Sequence, residues 1–212
     1  AMKMIGVEQL ISVSAVGSLR EEIAPGHLVI VNQFIDKTCG RTPSFYDDGV
    51  VVHVAFADPV CKDLADTLYN SAKGLGIPVH KDKTYICMEG PAFSTRAESY
   101  MHRAWGADVI GMTNMPEAKL AREAEICYVT IALSTDYDCW REGEHVNVAT
   151  VVATIKKNIA NAQRVLSDAL PKLPVTRNCA CSHALEGAVQ SDVNAISRAT
   201  KEKYKPLLGR LL

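Results

Sequence analysis

Apolar residues along this chain alternate between short β-branched runs and segments with helical spacing. Gln9–Ser14 is strand-like, and Ala15-Val16-Gly17-Ser18 reads as a small-residue turn after it. His27–Val31 is a second short strand, Val79–Cys87 alternates polar with apolar, and Asp108–Gly111 is a further short strand. Ile126–Ser134 carries no charge and is rich in β-branched residues, which marks a strand buried on both faces of a parallel sheet. Leu64, Leu68 and Ala72 at i, i+4, i+8 predict a helix from Asp58-Pro59 to about Leu75, closed by Gly74 and Gly76. Arg96–Trp105 is helical, and Glu117–Ala124 is a helix with Pro116 in the tolerated first turn. Val151, Val152, Ile155, Ile159, Ala162, Val165, Leu166 and Leu170 make Val148–Leu170 a long amphipathic helix. Residues 171–183 read as a linker and 191–208 as a polar terminal helix. Ala1–Gly6 reads as the last turn of a helix. Residues 36–50 lack periodicity and predict a long loop, which in a compact domain is often functional. Strands alternating with helices predict an α/β protein, one domain over residues 1–212.

Composition narrows the function classes. Lys plus Arg is 23 and Asp plus Glu is 24, so charge gives no argument for nucleic acid or an anionic membrane as partner. Apolar runs fall short of the roughly 18–20 residues of a membrane span. The first residues lack a signal-peptide pattern, which leads to the expectation of a cytoplasmic protein. Seven cysteines are present, an odd and mostly scattered set that reads as reduced thiols filling core space. Cys179-Ala-Cys181 stands apart: it is open to a strained local disulfide, to pairing with other cysteines, or to a metal shared with His183. Zinc sites with clear sequence signatures use two such clusters, and only one is visible, so no metal is expected.

The chemistry concentrates at Thr135-Asp136-Tyr137-Asp138. Two carboxylates follow a buried strand, the place where open α/β sheets bind ligands. An isolated Asp there would commonly cap a turn; two after a buried strand favour a ligand.

Four segments then carry a resemblance. Glu89-Gly-Pro-Ala-Phe-Ser-Thr-Arg-Ala-Glu98 resembles the EGPxFxTxAE signature of the trimeric purine nucleoside phosphorylases. Ala107-Asp-Val-Ile-Gly-Met-Thr-Asn-Met-Pro-Glu117 resembles the GADVxGMTxxPE segment that follows it. Ser134–Trp140 and Gly17-Ser-Leu-Arg-Glu-Glu22 are closest to the branch of that family acting on 5′-methylthioadenosine. The resemblance implies a three-layer α/β/α fold with a mixed, largely parallel central sheet. It implies phosphorolysis of methylthioadenosine to adenine and 5-methylthioribose 1-phosphate, within purine and methionine salvage. No cofactor is implied, since inorganic phosphate is a co-substrate. A homotrimer or dimer of trimers is implied too.

Residue by residue, the resemblance makes Asp136 the protonated or hydrogen-bonding acid at the imidazole-ring nitrogen of adenine and gives Asp138 the exocyclic amine. A carboxylate accepts from an amine but donates to a 6-oxo group only when protonated, so Asp favours 6-aminopurines. Phe93 would stack on the purine and Ser94 hydrogen-bond it, while Met112 would lie under the ribose. Ser14 and Thr113 would bind phosphate, beside amides of the Ala15–Gly17 turn. His53 would reach the 5′-substituent of a neighbouring subunit, and Val148 and Val151 would form the methylthio pocket. Unaided, Phe93, Met112 and the two valines would be core residues, and Glu89 and Arg96 would form a structural pair. In the family's tail the CxC pair can be oxidised.

Family members also carry a segment before the position matching Ala1, with a Gly-rich turn and an Arg-His-Gly stretch that help bind phosphate. Its absence from these residues makes the chain look N-terminally truncated and predicts poor activity, because charge-assisted contacts contribute roughly 1.5–3 kcal/mol each. Competing readings are a broader purine nucleoside phosphorylase, an inactive nucleoside-binding fragment, and an unrelated flavodoxin-like domain.

Overall fold

In the computed structural model, residues 1–141 and 148–211 are described, with the backbone alone for 148–150. Five strands, β1 (Gln9–Ser18), β2 (Leu28–Lys37), β3 (Val79–Met88), β4 (Val109–Gly111) and β5 (Cys127–Asp136), close on themselves in the order β1-β4-β3-β2-β5. Pairs β1–β5, β2–β3 and β3–β4 are parallel; β1–β4 and β2–β5 are antiparallel. The expected mixed, largely parallel sheet is therefore present, and its closure is what sequence periodicity does not express. Helices are α1 (Lys62–Gly74), α2 (Arg96–Ala104), α3 (Glu117–Glu123), α4 (Val148–Ala169) and α5 (Arg198–Leu208).

β5 explains the architecture. Every residue from Cys127 to Thr135 is buried, because both of its faces are covered. Val129, Ile131 and Leu133 pack with Leu28 and Ile30 against Leu64 and Leu68 of α1 and Ala162 and Val165 of α4. Tyr128 and Ala132 face the other way, into a core to which all five strands contribute and which α3 closes with Ala118 and Ala121. This is the alternation of a strand between two apolar layers.

Several boundaries differ from the periodicity. β1 runs through Ser18, so Ala15–Gly17 is strand rather than turn; it pairs with Leu133, Ser134 and Asp136. α1 begins at Lys62, after Cys61 as N-cap, and α5 begins at Arg198 with Ser197 as N-cap. The 171–183 linker holds two short 3-10 turns, Leu170–Lys172 and Ala180–His183. Gly6 closes the first turn with φ +81°, as a glycine C-cap does. Among the described residues, no helix is long and apolar enough to cross a membrane.

Candidate active site

The strand ends converge on a cavity of about 790 Å3 whose lining includes Ser14 and Gly17 of β1, Met112 and Thr113 after β4, Asp136 and Asp138 at the end of β5, Phe93, and Val151 of α4. Seven of the expected site residues thus meet: Ser14, Phe93, Met112, Thr113, Asp136, Asp138 and Val151. Val148 lies in α4, with its side chain outside the described residues. Ser94 sits just behind the wall, its Oγ donating to Met88 Sδ at 3.7 Å while its carbonyl accepts from Cys139 Sγ at 3.3 Å. His53 is exposed and is not among the residues lining this cavity.

A β-bulge aims the acids. Val16 pairs with Ser134 but Gly17 with Asp136, so Thr135 is an extra residue in β5. The Thr135 hydroxyl lies 3.1 Å from Val16 O and 2.6 Å from Asp136 Oδ2, and the Asp138 amide donates to Asp136 Oδ1 at 2.8 Å. Both oxygens of Asp136 are therefore fixed in direction. Asp138 adopts φ +52°, a left-handed conformation that Asp tolerates better than most residues. Its Oδ2 accepts from Ser99 Oγ at 2.5 Å. Burial pushes the Asp138 carboxyl above the ordinary Asp value, and the Asp136 carboxylate adds to that, against the Ser99 hydrogen bond.

At the other end, Ser14 Oγ and Thr113 Oγ1 are 2.9 Å apart. Three residue steps of β1 separate Ser14 from Gly17, about 10 Å at roughly 3.3 Å per residue. Hydroxyls at one end, acids at the other, and Met112, Val151 and Ile155 among the apolar lining suit an elongated molecule with one anionic and one hydrogen-bonding end. Phe93 is 82% exposed, leaving a ring face free beside the acids.

Sequence reasoning missed Arg41, inside the stretch taken for a long loop. Its guanidinium donates to Met112 O (2.8 Å), Met115 O (2.5 Å), Glu89 O (2.8 Å) and Glu89 Oε2 (3.0 Å), tying the two motif segments together. The expected Glu89–Arg96 pair is thus replaced by Glu89–Arg41. Nothing in the local pattern signals this, because the partners are backbone carbonyls far along the chain. The Thr95 and Glu98 of the first motif serve α2 as a capping box, with Thr95 Oγ1 accepting from Glu98 N and Glu98 Oε2 accepting from Thr95 N; the T-x-x-E spacing signals it. Glu117, accepting from Tyr128 OH at 2.7 Å, also lines the cavity.

Comparison with known proteins agrees with this geometry. The model of the phosphorylase superfamily matches residues 1–171. An S-methyl-5′-thioadenosine phosphorylase of Geobacter sulfurreducens is 55% identical over 210 residues, 98% of this chain and 73% of that protein. One from Koribacter versatilis is 49% identical over 98% of this chain and 72% of its own length. A crystal structure of a methylthioadenosine phosphorylase from an Antarctic soil metagenomic library superposes with a TM-score of 0.93 at 45% identity, covering 98% of this chain and 74% of that one. The Schistosoma mansoni methylthioadenosine phosphorylase in complex with adenine gives a TM-score of 0.83 at 32% identity over 89% and 75% of the two chains. The chain belongs to the phosphorylase superfamily, alongside its S-methyl-5′-thioadenosine phosphorylases.

Proposed function

We propose that this chain binds methylthioadenosine and supports its phosphorolysis to adenine and 5-methylthioribose 1-phosphate. The observation that carries the reading is the pair of fixed acids about 10 Å from a hydroxyl pair, across an apolar cavity. The C1′–N bond to the purine breaks, the C1′–O bond to phosphate forms, and a proton must reach the departing purine. Asp136 takes the imidazole-ring nitrogen and Asp138 the exocyclic amine, Phe93 stacks on the base, and Met112 lies beneath the ribose. Ser14 and Thr113 hydrogen-bond phosphate. The exposed His53 fits the neighbouring-subunit role in a trimer, which sedimentation equilibrium tests.

The experiment follows adenine release from methylthioadenosine with and without phosphate; release that ignores phosphate defeats the reading. Asp136→Asn should move preference from adenine towards hypoxanthine nucleosides, and an unchanged ratio of specificities removes Asp136 as base reader. A second reading, a nucleoside-binding unit, is favoured by the lining itself. Among the described residues around the cavity none is Lys or Arg, whereas Glu117 is acidic. Adenine binding with no effect of phosphate on either binding or turnover would select that reading.

A further inference from the structure

Cys61, Cys127, Cys179 and Cys181 come from three distant segments, and their sulfurs all lie within 4.8 Å of one another. Cys61 is the N-cap of α1, Cys127 is the first residue of β5, and Cys179 and Cys181 flank the start of the Ala180–His183 turn. We propose that these four thiols form a closed tetrathiolate site for zinc, a structural centre unconnected with the cavity chemistry.

Geometry favours one ion over pairwise bonding. Zinc bound at about 2.3 Å by four thiolates in a tetrahedron holds them roughly 3.8 Å apart. The observed sulfurs are compatible with that spacing: Cys127 and Cys179 are 3.3 Å apart and all four lie within 4.8 Å of one another. A disulfide asks only that each sulfur have one sulfur neighbour; here each has three. Cys61, Cys127 and Cys181 are 3%, 1% and 6% exposed, with Cys179 half-buried at the edge, and all four offer soft thiolate ligands, which favour zinc over hard cations. A zinc tetrathiolate carries a net charge of −2. The Arg177 guanidinium, 3.8 Å from Cys127 Sγ, faces that charge, as does the amino end of α1 at Cys61. Arg177 is itself held by the Glu8 and Glu125 carbonyls. His183 is turned to Glu186 at 2.6 Å, so the four sulfurs complete the set without it. The sequence shows one two-thiol cluster; folding supplies the other two ligands from positions 61 and 127.

Binding replaces thiol protons with the metal: Zn2+ plus four thiols gives the tetrathiolate and four protons released to buffer. Four protein ligands leave no open position for substrate. β5 carries the chain from Cys127 to Asp136 over nine residue steps, about 30 Å, so the metal clasps the C-terminal segment to the sheet and does not touch the acids.

Native mass spectrometry of the full chain, purified without added reductant or chelator and supplied with zinc, tests this. One zinc per chain is expected, with the absorption bands of tetrahedral thiolate cobalt when Co2+ replaces it. Cys179→Ser and Cys181→Ser should lose the bound ion, while Cys39→Ser and Cys139→Ser keep it. Chelation should lower Tm of the unmodified protein but not of Cys179→Ser, and adenine affinity should be unchanged throughout. A metal-free chain that masses four hydrogens light, carrying two disulfides, overturns the proposal. Full zinc occupancy in the Cys179→Ser, Cys181→Ser double variant overturns it equally.

Discussion

Replacing Gly17 with Ala tests whether the acids work through fixed position. Gly17 lies in the ladder between β4 and β5, opposite Ile110 on one side and Asp136 on the other. A methyl group there would stand 3.2 Å from Ile110 Cγ2, 3.3 Å from Asp136 Oδ1 and 3.3 Å from Asp138 Cβ. Carbon contacts are most favourable at about 3.5–4.0 Å, so each neighbour must yield by a few tenths of an ångström. The strand cannot slide without disturbing two ladders, so the side chains give way, and these are the two acids proposed to read adenine. Overpacking of this kind costs roughly 1–3 kcal/mol. The strain is local, so about 1 kcal/mol falls on stability. Displaced acceptors should weaken adenine binding by roughly 5- to 30-fold, the range that one to two kcal/mol covers. Titration calorimetry with adenine, alongside thermal melting, measures both. Gly74→Ala is the control, because an added Cβ there meets nothing within 4 Å. It should leave adenine affinity unchanged and raise stability by up to about 1 kcal/mol. Wild-type adenine affinity in Gly17→Ala would refute the argument.

Four further outcomes follow from the geometry. Arg41→Lys cannot reproduce the fork onto three carbonyls and Glu89, and should cost on the order of 2–3 kcal/mol in denaturant unfolding while loosening Met112 and Thr113; an unchanged midpoint would show the fork to be dispensable. Gly111→Ala would drive a methyl into the buried Tyr85 hydroxyl and should unfold at a markedly lower temperature, by roughly 3 kcal/mol or more. His27 and His80 stack with ring nitrogens 3.0 Å apart, and burial holds both below the ordinary His value. The unfolded chain therefore takes up protons first, so their contribution is intact above pH 6.5, the ordinary value, and is lost as pH falls below it; urea midpoints should show that fall, and His80→Asn should flatten it. Glu117→Gln removes an acid from the cavity that is proposed to take phosphate, and should tighten phosphate binding by about 1 kcal/mol, read as protection against thermal unfolding.

Most of what builds the cavity was legible because its residues follow strands with strong patterns. β5 is uncharged until Asp136, so both its burial and the position of the acids could be read from residue type alone. Phe93, Met112 and Thr113 were recognisable by motif, and the structure brings them to one cavity. Arg41 and Ser99 were not, since their partners are set by the closure of the sheet, on which local periodicity is silent; Glu117 stands in the same motif as Met112 and Thr113, with nothing there to signal its bond to Tyr128. The same holds for the cysteines: Cys61 and Cys127 read as isolated core thiols until the ladders place them beside Cys179 and Cys181. The terminal helix was overextended because residues 191–197 contain no Gly or Pro to mark a break, and Ser197 supplies the cap seven residues later than expected.

The bulge at Thr135 shows why the acids stand at the rim. Along β5, Tyr128 and Ala132 point into the shared core, while Val129, Ile131 and Leu133 pack on α1 and α4. Strict alternation would carry Asp136 after Ala132 and Ser134 into the layer that holds Tyr128 and Tyr85, where an uncompensated carboxylate costs several kcal/mol. The extra residue resets the register, so Asp136 lies opposite Gly17 instead, with Thr135 and the Asp138 amide occupying its oxygens. Gly17 is the complement of that arrangement: with no side chain of its own it leaves room for both acids beside β1. The bulge and the glycine form one device, and a side chain at position 17 attacks it from the side that the sequence alone leaves unremarked.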